Sequence, residues 1–130
     1  MGAWGAGSFE NDDASDWVWE LEEAENESIL AEAFARVNDS EDDPEAPDCC
    51  IAIAAAEVVA AMRKRGPTDL PEEAAEFVKR MKAPSASLVA SARRAVERIR
   101  TQSELKDLWD ESESPDGWSR AIADLQSRLK

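Results

Sequence analysis

The stretch that decides the fold is Cys49-Cys50-Ile51-Ala52-Ile53-Ala54-Ala55-Ala56-Glu57-Val58-Val59-Ala60-Ala61-Met62, in which Glu57 is the only charge. Fourteen residues without Gly or Pro and rich in alanine read as a helix, and a helix apolar all round is a buried one. The spacing predicts this helix over about Asp48 to Arg65. Arg63, Lys64 and Arg65 suit the negative end of its dipole, Gly66 suits a left-handed cap, and Pro67 bars continuation.

Working outward, every flanking segment also has helical spacing, and no apolar–polar alternation marks a strand. Asn11, Asp12 and Asp13 are N-cap residues for a first helix whose inner face is Ala14, Trp17, Val18 and Leu21. A second helix, about Glu27 to Val37, carries Ile29, Leu30, Ala33, Phe34 and Val37. From Asn38 to Asp48 runs an acidic linker, with Pro44 and Pro47 set against helix. A fourth helix spans about Leu70 to Lys82. A fifth spans Ser87 to Gln102, with Leu88, Ala92, Ala95, Val96 and Ile99 inward and Arg93, Arg94, Arg98 and Arg100 outward. In the fifth, Glu97 has Arg93, Arg94 and Arg100 within helical reach. Ser103 caps a short sixth helix, and Ser114-Pro115 opens a seventh bearing Trp118, Ile122, Leu125 and Leu129. The expected fold is all-α: one compact domain, residues 1–130, of six to seven short helices around a central alanine-rich helix. Trp4, Phe9, Trp17, Trp109 and Trp118 are expected in its core.

Both ends carry specific motifs. The chain opens with Met1, Gly2, Trp4, Gly7, Phe9, Asn11, Asp12, Ala14 and Asp16, in the pattern Met-Gly-x-Trp-x-x-Gly-x-Phe-x-Asn-Asp-x-Ala-x-Asp. It closes with Ser103, Glu104, Leu105, Leu108, Trp109 and Glu111, then Trp118, Ile122 and Leu125. With these ends and the alanine-rich middle, the chain resembles the bacterial domain-of-unknown-function 4259 family over almost its whole length. The resemblance implies an all-helical, single-domain bacterial protein and supplies no activity. The acidic linker is not part of it.

Charge divides the chain. Residues 1–62 hold 17 acids and one base, Arg36, whereas residues 63–130 hold 12 acids and 14 bases, within a net charge of −14. Such a chain is a poor nucleic-acid binder, since that affinity comes from Lys and Arg on phosphates. A basic protein is the natural electrostatic match, and solubility is the plainer use of the same charge. No uncharged run is long enough to span a membrane, and no leader is visible: Glu10, Asp12 and Asp13 stand where one would be apolar, and Ala6 denies the myristoylation pattern. The expected location is the cytoplasm.

Catalytic signals are weak. Histidine is absent, so the commonest general base is missing. Ser103-Glu104-Leu105-Lys106 matches Ser-x-x-Lys without its companion motifs. Cys49 and Cys50 read as buried thiols, with a vicinal redox pair as the alternative. Gly2, Gly5 and Gly7 suit a tight turn more than an anion cradle. Asn11, Asp12, Asp13 and Asp16 read as caps, with a hard-cation site as the alternative. The expectation is no catalytic residue, no metal and no cofactor. Glu57 is expected to pair with Arg93, Arg94 or Arg98, or to face solvent, because a lone buried carboxylate is costly. The leading function is a non-enzymatic protein-interaction module, in one form an inhibitor or immunity-type protein for a basic partner. The candidate contacts are Trp19, Glu20, Glu23, Asp39, Glu41, Asp42 and Asp43. The alternative is a small carboxylate- or metal-dependent hydrolase built near Asn11 to Asp16. A third reading is a purely structural or regulatory subunit.

Overall fold

A computed structural model describes residues 8–9, 11–67, 70–81, 83–112 and 115–130. Seven α-helices follow one another: α1 Asp12–Glu20, α2 Ser28–Asn38, α3 Ala46–Met62, α4 Glu72–Arg80, α5 Ala86–Thr101, α6 Glu104–Asp110 and α7 Pro115–Arg128. A turn of 3-10 helix, Leu21–Glu23, extends α1, and the described residues contain no strand. The chain is therefore all-α, as its periodicities predict.

The axis of the structure is α3, which packs against each of the other six helices. Its residues from Ala52 through Ala60 are all buried, so no side of the helix reaches water there. Small side chains make this possible. Ala54, Ala55, Ala56 and Ala60 keep the helix narrow, and Ala33, Ala74, Ala92 and Ala95 meet it with equally short side chains. Bulk is supplied from the surrounding helices by Phe34, Phe77, Leu30, Ile99, Ile122 and Leu125, all buried. A side chain of that size contributes about 1.5–3 kcal/mol on leaving water.

Both ends of α3 depart from the expected limits. Pro47 does not hold the chain out of helix: α3 begins at Ala46, and a proline in the first turn has no intrahelical amide bond to lose. At the other end the helix stops at Met62. Lys64 donates its amide to the Ala61 carbonyl at 2.9 Å, and Arg65 donates to the Ala60 carbonyl at 2.8 Å. These are the paired bonds of a Schellman turn, and Lys64 takes its left-handed position with φ 64°. The expected cap, Gly66, serves by closeness instead. A Cβ there would lie 2.6 Å from the Ala61 Cβ, so the chain can fold back onto the helix only without a side chain.

Trp17 and Trp118 are buried as expected. Phe9 and Trp109 are only partly buried against the core, and Trp4 lies outside the described residues. Two expected N-caps hold, with Asn11 Oδ1 accepting from the Ala14 amide and the Ser103 hydroxyl from Lys106, while α5 is capped by Ser85, whose hydroxyl accepts from Leu88, just ahead of the expected start at Ser87. Ser114 and the glycines Gly2, Gly5 and Gly7 lie outside the described residues.

A candidate docking face and the cleft beside it

The outer face of α1 is exposed at Asp12, Asp16, Trp19 and Glu20, and the face continues to Glu23 in the 3-10 turn. These positions recur at helical spacing on the side away from Ala14, Trp17, Val18 and Leu21. Trp19 is 61% exposed, the large apolar side chain that the core leaves in water. Beyond it, Glu20, Glu23, Glu25 and Glu32 line a shallow groove of about 340 Å³ floored by Ala24 and Ile29. Among the described residues none of these acids is in an ion pair.

The other candidate acids lie elsewhere. Asp39, Glu41, Asp42 and Asp43 belong to the α2–α3 connection and are exposed. That connection is fixed by Arg98, whose guanidinium donates to the carbonyls of Val37 at 3.0 Å, Asn38 at 3.3 Å and Asp42 at 2.9 Å. Its backbone is thus held while its carboxylates remain in water. Among the described residues no hydrogen bond or ion pair joins this loop to Trp19, Glu20 or Glu23.

Glu57 is buried, and its partner is not Arg93, Arg94 or Arg98. Arg128, at the end of α7, grips it with both terminal nitrogens, at 2.5 Å to Oε1 and 3.2 Å to Oε2. The Ser8 hydroxyl donates to Oε2 at 2.7 Å. Arg128 also holds Asp124 at 2.8 Å and donates to the Arg65 carbonyl at 3.3 Å. Both Glu57 oxygens are satisfied by one bidentate cation and one hydroxyl, the arrangement that makes a buried carboxylate tolerable. The expected arginines do other work. Arg93 and Arg63 both donate to the carbonyls of Leu129 and Lys130 just beyond α7. Of the predicted local partners, Arg100 takes Glu97, at 2.5 Å, and this bond, followed by one from Gln126, holds the carboxyl below its ordinary range.

A half-open cleft of about 380 Å³ lies between the start of α1, the start of α3 and α6. Ala46, Pro47, Leu105, Leu108 and Trp109 give it apolar walls, and Cys50 faces it from α3. Asp13 and Glu104 are the charged residues lining it. The end motifs build the frame. Glu104 Oε1 accepts from the Ala46 amide at 2.9 Å, capping α3 from another helix, while the Glu104 amide donates to the Pro44 carbonyl at 3.0 Å. Ser103 caps α6 and also donates to the Ile99 carbonyl at 2.8 Å. Cys49 donates to the Pro44 carbonyl at 3.6 Å. Burial pushes its thiol up to about 12, and burial followed by the Asp13 charge pushes Cys50 up to about 11. Neither thiol is a thiolate at neutral pH, so the pair supplies no ready nucleophile. Both thiols are free, and among the described residues no group of three potential ligands could hold a metal ion.

Residues from both end motifs thus meet around one cleft and the α3 core, and the family profile spans them. The chain belongs to the DUF4259 family, a domain of unknown function. The match covers residues 2–121. No curated protein and no solved structure matches it. For this DUF4259 chain the motif residues Asn11, Ser103 and Glu104 are therefore assigned by geometry to helix capping. Sequence reasoning missed Arg128 as the Glu57 partner and Glu104 as the cap of α3. Glu104 follows an N-cap serine and carried the motif signal, but its separation of 58 positions from Ala46 conceals the contact. No helix among the described residues is long and apolar enough to cross a membrane.

Proposed function

We propose that this chain is a non-enzymatic protein-interaction module of the bacterial cytoplasm whose partner is a basic protein. The observation that carries the reading is Trp19, 61% exposed on a helix face whose other exposed positions are Asp12, Asp16 and Glu20. Exposed tryptophans are over-represented among residues that dominate binding energy, and a cation stacks well on an indole. An acidic surround speeds encounter with a cationic surface. An inhibitor or immunity-type antidote is one form this role takes. The hydrolase reading has less support: Asn11 is engaged as a cap, and the acids of α1 gather no third ligand among the described residues.

The test is affinity capture from the native host with the wild-type chain and with Trp19→Ala, Glu20→Gln and Glu23→Gln variants. A basic protein should be retained by the wild type, released as salt is raised, and lost from Trp19→Ala by about tenfold or more. Equal retention by a folded Trp19→Ala chain would remove this face from consideration.

A further inference from the structure

The cleft between α1, α3 and α6 shares α1 with the docking face: Asp13 lines it from the first turn, and Trp19 and Glu20 stand at the other end of the same helix. Its chemistry is specific. Leu105, Leu108 and Trp109 line an apolar space of about 380 Å³, within the range of sites that hold a side chain or small ligand. Among the described residues both charged ones lining it, Asp13 and Glu104, are negative, and no Lys or Arg lines it. The one cation nearby on α6, Lys106, is held by Asp110 at 2.6 Å. Glu104 cannot swing in to fill the space without releasing the Ala46 amide.

We propose that this cleft is the anchor pocket of the docking face, taking one apolar side chain of the basic partner that is followed by, or itself ends in, a positive charge. The assignment rests on the basic-partner reading. In this arrangement Leu108 and Trp109, which line the cleft, remove the anchor from water, and the Asp13 carboxylate that also lines it meets the charge. An anionic segment would face two carboxylates and, among the described residues lining the cleft, no base.

The minimal probe is n-hexylammonium, titrated into the full chain while the methyl signals of Leu105 and Leu108 and the indole signal of Trp109 are followed by NMR, with 1-hexanol and hexanoate as comparison probes. Hexylammonium should shift these signals, hexanol should do so more weakly, and hexanoate should leave them unmoved. Asp13→Asn should weaken hexylammonium about two- to fivefold, the range an exposed ion pair supplies, without changing hexanol. Leu108→Lys should abolish both and weaken the captured partner at least tenfold. No shift with hexylammonium, or equal binding of hexanoate, overturns the pocket. A partner that binds Leu108→Lys as tightly as wild type, yet is lost from Trp19→Ala, overturns the pocket and leaves the basic-partner reading standing. Hexylammonium binding in a chain that captures no basic protein overturns that reading, and the anchor assignment with it.

Discussion

The two halves of the chain use their charges in opposite ways. In residues 63–130 five arginines, Arg63, Arg80, Arg93, Arg98 and Arg128, tie distant segments together. Arg80 donates to the Leu21 carbonyl at 2.8 Å, and Arg98 donates to the carbonyls that end α2. Arg63 and Arg93 donate to those that follow α7, and Arg128 serves Glu57 and the Arg65 carbonyl. Each donates to carbonyls at or near the end of a helix, where the helix itself leaves acceptor capacity spare. Among the described residues of 1–62 most acids stand in water, Glu57 is the buried exception, and Glu27 is bonded to Ser85. A lopsided charge therefore does not mean a lopsided surface function. Several arginines of the second half serve the fold, whereas most acids of the first half face solvent.

Four measurements sharpen or break this contrast. The largest effect should come from Glu57→Ala, which leaves Arg128 half-buried without its main partner. A loss of about 3 kcal/mol is expected in urea unfolding. A loss below about 1 kcal/mol would show that the pair adds little to the stability of the fold. Next, Arg98→Ala removes three bonds to carbonyls and should cost about 2 kcal/mol. Arg98→Lys should recover less than half of it, because an ammonium cannot span carbonyls that a planar fork reaches. Full recovery by lysine would replace the capping account with a simple charge account.

A third measurement concerns the thiols. Cys49 and Cys50 titrate at about 12 and about 11 in the folded chain, against an ordinary thiol near 8.5–9. Above that ordinary value the unfolded chain loses protons that the folded chain keeps, so stability falls with rising pH. It is present in full below about pH 8.5 and declines toward pH 11. The melting temperature should fall across that window in the wild type, and the fall should shrink in a Cys49→Ala, Cys50→Ala double variant. The smallest effect belongs to the exposed acids. Glu41→Gln and Asp42→Asn together should change stability by less than about 0.5 kcal/mol, with a slight gain at low salt from relieved repulsion. A marked loss would mean that the acidic loop is built into the fold through its side chains and not only its backbone.

How far these features were legible in the sequence depends on whether their cause is local. The central helix, the inner faces and the Asn11 and Ser103 caps follow from residue type and spacing within one or two turns. The α3 termini did not, because Pro47 and Gly66 each carry two meanings. A proline both breaks a helix and starts one, and a glycine serves either a left-handed dihedral or a close approach. Only the position of Ala61 tells which applies at Gly66. The Glu57 partner was illegible for a different reason. The carboxylate announced a need for a cation, but Arg128 lies 71 residues away, and the nearer arginines were equally plausible until the helices were arranged. The candidate site divides the same way. The exposure of Trp19 follows from its angle on α1, while the cleft exists only where three helices from distant segments begin or pass together.

The covering of α3 has a consequence for the order in which the chain is made. Synthesis delivers α1, α2 and α3 before α5 and α7, so a largely apolar helix emerges while several of its neighbours do not yet exist. A segment of that kind is prone to stick to another copy of itself. The residues that emerge with it carry 17 acids against one base, and like charges at that density keep such intermediates apart until the later helices close over the core.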